Sequence, residues 1–251
     1  MLGIGSQIKA HIEKRFGLEF NPPAARMREY ILAVKAFFDC WQHGTRLDFE
    51  GKYYRHTLMT PMFNPGPNQY GIPPILLGAL GPKMTEVAGE VADGLIVHPF
   101  NSMPFLEEKA LPAVHRGLQK GGRSADDFIL QVNAIVITGD TEAEYQAAEQ
   151  SVKGLLGFYS STPAYKPPME AVGLGDLQPT LNALSKEGKW DALGSYINDE
   201  FLDAFCTRGE PHEIADKLKQ KYGQYADRLA IYAPYGAPDA MWKGIVQALK
   251  N

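Results

Sequence analysis

Between an apolar run and a helix-like segment, Gly78-Ala79-Leu80-Gly81-Pro82-Lys83 forms a turn whose chemistry suits an anion. The free N–H groups at a helix start, and the helix dipole behind them, favour negative charge. Glycine lets the backbone come close, Pro82 presets the first helical turn and Lys83 adds a point charge. By itself the segment reads equally well as a tight strand-to-helix turn with an exposed lysine. Ser6, Gln7 and His11 follow the first apolar run, Met1–Gly5, and are candidates to line a ligand. The alternative for His11 is a capping or solvated loop histidine. His98 ends the run DGLIVHPF. There it can hydrogen-bond a substrate, act as acid or base near neutral pH, or stack beneath its loop with Pro99 and Phe100. Arg15 can steer an acidic ligand tail or simply pair with Glu13 or Glu19.

Other polar residues argue against other chemistries. His43, His56, His115 and His212 have no partner at ligand spacing, so no metal site is expected. The stretch GFYSSTPAY has adjacent serines without a GxSxG elbow, which removes support for a hydrolase triad. The glycine pairs Gly121-Gly122 and Gly173/Gly175 lack the strand-then-helix setting of a dinucleotide fingerprint. Asp93 precedes a strand and reads as a structural carboxylate bonding backbone at a helix–strand turn. Tyr232 and Tyr235 flank the end of the last strand, where aromatic packing is the ordinary explanation.

The elements that must hold these residues alternate between strands and helices. Met27, Ile31, Val34, Phe38 and Trp41 form one apolar stripe, predicting a helix capped by Asn21 with Pro22 at its first position. LDFEGKYYRH predicts a short β-excursion turned at Gly51, and FNPGPNQYGIPP must be loop. PPILLGA is an unalternating apolar run, as expected of a strand buried on both faces, DGLIVHPF is a second buried strand, and FILQVNAIVIT and DRLAIYAP are further strands. Helices are predicted over GPKMTEVAGEVA, Met103 to Lys120, Thr141 to Phe158, Pro211 to Tyr222 and Pro238 to Lys250. Counting Met1–Gly5, five strands alternate with helices, which means βα units on a parallel sheet.

The composition agrees with a packed core: 251 residues, 45% of them hydrophobic, within the roughly 250-residue range of single α/β barrels. A net charge of −4, with no long Lys/Arg run, predicts neither nucleic acid nor an anionic membrane as partner. No apolar run reaches the roughly 18 residues of a membrane span, and MLGIGSQIKAH lacks the pattern of a signal peptide. Cys40 and Cys206 stand far apart without a CxxC and read as reduced thiols of a cytoplasmic protein, with a disulfide as the alternative.

At LGIGSQIKAHIEKRFG, LLGALGPKMTEVAGEVADGLIVHPF and DRLAIYAPYG the chain resembles luciferase-like monooxygenases, and most nearly their coenzyme F420-dependent oxidoreductase branch. The resemblance runs in order over essentially the whole chain. It implies a TIM-type (β/α)8 barrel present in part, with strands four to eight and the first three βα units, roughly a hundred residues, absent. The whole of 1–251 is then a single partial barrel domain, and 159–208 an insertion over the barrel mouth.

The same resemblance implies a cofactor site at Ser6, Gln7, His11, Gly78, Ala79, Gly81, Pro82 and Lys83. The Gly78–Lys83 loop would hold the phosphate, and the first three would contact the ring. The expected activity is hydride transfer between coenzyme F420 and a small organic substrate, with His11 and His98 as candidate catalytic residues. A reduced-FMN monooxygenase is the alternative on the same loop, and a non-catalytic half-barrel the alternative of another class. A homodimer is expected from the family. Outer strands with unpaired backbone also predict a chain that is marginal alone, pairing with another copy or aggregating.

Overall fold

Short apolar runs pair in parallel as strands, and the segments between them wind into helices that cover the sheet. The computed structural model describes residues 1–250. Contacts divide the chain into two units, one of Met1–Ile96 with Pro112–Ile129, the other of Val97–Leu111 with Leu130 to the C-terminal end.

The first unit begins with β1 (Leu2–Gly5), α1 (Lys9–Lys14) and the long α2 (Pro23–His43). A two-residue antiparallel hairpin follows, β2 (Phe49–Glu50) with β3 (Arg55–His56), closed where Gly51 N–H donates to the Tyr54 carbonyl. The loop after it leads to β4 (Ile75–Ala79), α3 (Pro82–Val91) and β5 (Gly94–Val97), whose last residue already belongs to the second unit. β4 lies between β1 and β5, with β1 and β4 in parallel register from Leu2↔Ile75 to Gly5↔Gly78. Ile75, Leu76 and Leu77 are fully buried, as an unalternating run requires, whereas Leu2 and Ile4 of β1 are only half-buried. The α2 helix starts one residue later than expected, with Pro22 as its cap and Pro23 at its first position. A residue before proline is pushed out of the helical region, and Pro22 precedes Pro23.

Asp93 behaves as the sequence suggests. Its Oδ2 accepts the Ile75 N–H at 2.8 Å, its own N–H donates to the Ile75 carbonyl at 2.7 Å, and Lys35 donates to Oδ1 at 2.7 Å. Asp227 repeats the device in the second unit, accepting Leu130 N–H at 2.7 Å while its own N–H donates to the Leu130 carbonyl at 3.0 Å.

The segment expected as one helix from Met103 to Lys120 is α4 (Met103–Phe105), a π-helical turn (Leu106–Ala110) and α5 (Leu111–Gly121) end to end. Pro112 has no N–H to return to Glu108, and its ring would press on that carbonyl. The wider turn just before it relieves the clash.

In the second unit, β6 (Ile129–Ile137) is followed by α6 (Glu142–Ser161), which opens with a reciprocal cap between Thr141 and Glu144. Then come α7 (Lys166–Glu170), α8 (Leu177–Lys186), α9 (Asp199–Phe205), β7 (Cys206–Arg208), α10 (Pro211–Tyr222), β8 (Arg228–Tyr232) and α11 (Asp239–Lys250). Both β7 and β8 pair in parallel with β6. Among the described residues the five strands counted for the parallel sheet are therefore corrected to six, and the expected β-excursion is the separate β2–β3 hairpin. β7 hides in a segment read as irregular, because three residues show no periodicity.

The core of this unit gathers Phe100, Ile135, Ile137, Val152, Leu156 and Phe201, with Phe100 stacked on Phe205 at 4.4 Å. Among the described residues the strands do not close into a barrel, and no helix is long and apolar enough to cross a membrane. Cys40 and Cys206 are both buried free thiols, and burial pushes the Cys206 thiol up to about 12.

Candidate functional site

Gly5 and Gly78 are register partners at the C-terminal ends of β1 and β4, so the loops that carry the candidate residues leave the sheet side by side. Neither strand end carries a side chain there. A Cβ on Gly81 would meet nothing within 4 Å, so backbone lines an open approach. Gly81 caps α3 without any side-chain bond, Pro82 takes the first helical position, and the first turn holds no acidic residue. The first intrahelical bond runs from Thr85 N–H to the Gly81 carbonyl, at 3.0 Å. That leaves the N–H groups of Lys83 and Met84 without an intrahelical acceptor. Lys83 is exposed and joins no ion pair among the described residues. This end of the helix is an uncompensated positive pole.

Across from it, Gln7 holds φ at 56°, the left-handed region that a non-glycine residue seldom occupies. Its Oε1 accepts the Ile8 N–H at 3.2 Å, which fixes which end of the amide is oxygen. The same oxygen lies 3.2 Å from His11 Nδ1. Nδ1 therefore carries the hydrogen of that bond, and Nε2 of a neutral His11 is left as an acceptor.

His98 has the opposite arrangement. Its Nδ1 accepts the Phe100 N–H at 3.1 Å, so the ring proton sits on Nε2, a donor. Tyr165 and Tyr159 pack on the ring at 4.7 and 5.2 Å, and Tyr159 Oη lies 3.4 Å from Tyr232 Oη. Burial in this aromatic cage pushes the His98 pKa down to about 4 and raises those of Tyr159 and Tyr165. The reading of His98 as an acid or base near neutral pH is corrected: desolvation keeps it neutral, as a fixed hydrogen-bond donor.

Arg15 lies over the Phe16 ring at 5.4 Å, and Glu13 pairs instead with Lys9 at 3.7 Å, one helical turn back. Tyr235 does more than pack. Its hydroxyl donates to the Val136 carbonyl at 3.0 Å and accepts the Thr138 N–H at 3.1 Å, clamping the end of β6. Among the described residues no three His, Cys, Asp or Glu side chains converge as metal ligands.

A cleft of about 430 Å³ that sequence reasoning missed is lined by Ser6, with Ile4, Ile12 and Met27 along it and Arg26, Tyr30 and Tyr54 also in its wall. Its parts come from β1, α1, α2 and the hairpin turn, so no local pattern announces it.

A family model for luciferase-like monooxygenases matches residues 1–228. An uncharacterized protein of Mycobacterium tuberculosis is 44% identical over 229 residues, covering 91% of this chain and 67% of that protein. The F420-dependent glucose-6-phosphate dehydrogenase of Nocardia farcinica is 34% identical over 130 residues, 50% of this chain and 35% of that enzyme. Among solved structures, the coenzyme F420-dependent tetrahydromethanopterin reductase of Methanopyrus kandleri superposes with a TM-score of 0.73 at 23% identity. That superposition covers 98% of this chain and 71% of the reductase. With the parallel βα units and the glycine-lined strand ends, these matches establish that the chain belongs to the luciferase-like monooxygenase family.

Proposed function

We propose that this protein is an oxidoreductase that binds coenzyme F420 and transfers a hydride between it and a small organic substrate. The observation that carries the proposal is the uncapped, acid-free start of α3 beside the paired glycines Gly5 and Gly78. The residues fit a phosphate-bearing cofactor. Gly78, Ala79 and Gly81 admit it to the backbone, Pro82 shapes the turn, and the Lys83 and Met84 N–H groups with the Lys83 ammonium meet the phosphate. The F420 dependence of the Nocardia farcinica relative favours a deazaflavin, with reduced FMN as the competing cofactor.

When bound, F420 supplies the ring carbon that carries the hydride. Ser6 and Gln7 are assigned to the ring, with Gln7 holding His11 so that its Nε2 accepts a hydrogen bond. In the second unit, His98 keeps its ring proton on Nε2 across the neutral range.

Fluorescence titration of the purified chain with F420, and separately with FMN, tests the proposal. Saturable F420 binding is expected, weakened about tenfold in Lys83→Ala, as for loss of one charge-assisted contact of about 1.5 kcal/mol. Saturation by FMN alone would replace F420 with a flavin. Binding of neither cofactor by a folded chain would overturn the proposal.

A further inference from the structure

We infer that the cleft between β1, α1 and the start of α2 is a binding site for a small organic carboxylate, held by Arg26. The guanidinium lies over the Tyr53 ring at 5.5 Å, which restricts it to one plane. Arg26 Nε is buried and has no hydrogen-bond partner. Carboxylates that could neutralise it are engaged elsewhere. Glu29 takes the N–H groups of Lys52, Tyr53 and Tyr54 at 2.9, 2.5 and 2.6 Å, and Glu90 is paired with Arg28 at 2.7 Å and Lys120 at 2.8 Å. Glu19 borders the cleft but is exposed and joins no ion pair among the described residues.

A half-buried guanidinium with an orphaned Nε is costly unless an acceptor arrives. The first turn of α2 adds to the same field, since it has no acidic residue and no side-chain cap. One positive charge presented as a planar fork matches a monoanionic carboxylate. The remaining wall, with Ile4, Ile12 and Met27, calls for an apolar or aromatic body attached to it. A volume of about 430 Å³ accommodates such a ligand. The site borders the cofactor assignment at Ser6 but involves no residue of the Gly78–Lys83 loop.

Isothermal titration of the whole chain with phenylacetate and with neutral phenylacetamide, in the absence of F420, tests the inference. Phenylacetate is expected to bind at least tenfold more tightly than the amide, and Arg26→Gln to lose that preference while keeping the unmodified chain's melting temperature. The comparison of the two probes needs no variant, so a poorly folding Arg26→Gln would not obscure it. Equal affinity for the two probes in the unmodified chain would overturn the site, as would a folded Arg26→Gln that still prefers the anion.

Discussion

Acidification should expose the neutrality of His98 directly. Its pKa lies near 4 in the folded chain, against 6.5 for an unburied imidazole. Because the folded value is depressed, the unfolded chain takes up the proton first as pH falls. Stability is fully present above about pH 6.5, declines through the interval, and levels off below about pH 4. The shift of 2.5 between the two values corresponds to about 3.4 kcal/mol in all, of which about 2 kcal/mol is already lost by pH 5. Glu29, Glu90 and Glu213 have lowered pKa values, so their contributions fade only below the ordinary carboxylate value of 4.5 and leave the upper part of the window to histidine. The assay is urea unfolding at a series of pH values for the unmodified chain and for His98→Gln. Glutamine removes the titration and can still accept the Phe100 N–H. The difference between the two profiles between about pH 8 and pH 5 should approach 2 kcal/mol. Parallel profiles would show that the caged imidazole is charged or solvated, and would remove the argument for a fixed donor.

Gly117→Ala and Gly154→Ala should move stability in opposite directions. Both glycines lie in helices, where alanine is worth about 1 kcal/mol in propensity. A Cβ on Gly117 would collide with the Glu86 carbonyl and the Gly89 Cα of the helix packed against it, whereas one on Gly154 meets nothing within 4 Å. Thermal unfolding should therefore show Gly117→Ala destabilised by a net of about 1–3 kcal/mol and Gly154→Ala stabilised by about 0.5–1 kcal/mol. The same sign for both would refute the close helix approach. Tyr235→Phe should cost about 1–2 kcal/mol and speed hydrogen exchange at Thr138, whose N–H loses its acceptor; unchanged exchange would show that the clamp is not formed in solution.

What was legible in the sequence was what local pattern encodes. The stripe Met27, Ile31, Val34, Phe38 and Trp41 gave α2 with its start within a residue, and unalternating runs such as PPILLGA gave the buried strands. Asp93 was readable because a carboxylate between a helix and a strand has backbone donors close by. What escaped depends on groups far apart in the chain. The cage of His98 is made by residues 61 and 67 positions away, Tyr159 and Tyr165, so nothing near DGLIVHPF reveals its desolvation. The cleft at Arg26 needs the hairpin turn to occupy Glu29 before the arginine is left alone. The left-handed Gln7 and the π-helical turn before Pro112 are conformational choices that composition does not display.

The twin aspartates Asp93 and Asp227 carry an implication for how such a chain can change. Each clasps a residue at the start of a neighbouring strand, Ile75 or Leu130, by that residue's own N–H and carbonyl. A latch that grips a strand only by its peptide groups is indifferent to the side chains that strand carries. The strands it joins can therefore be rewritten, or exchanged for those of a related protein, with the fastening kept intact. The opposite ends of β1 and β4, where Gly5 and Gly78 meet, show no comparable tie among the described residues. Within each unit, then, the fastening and the side chains of the strand it holds can change independently.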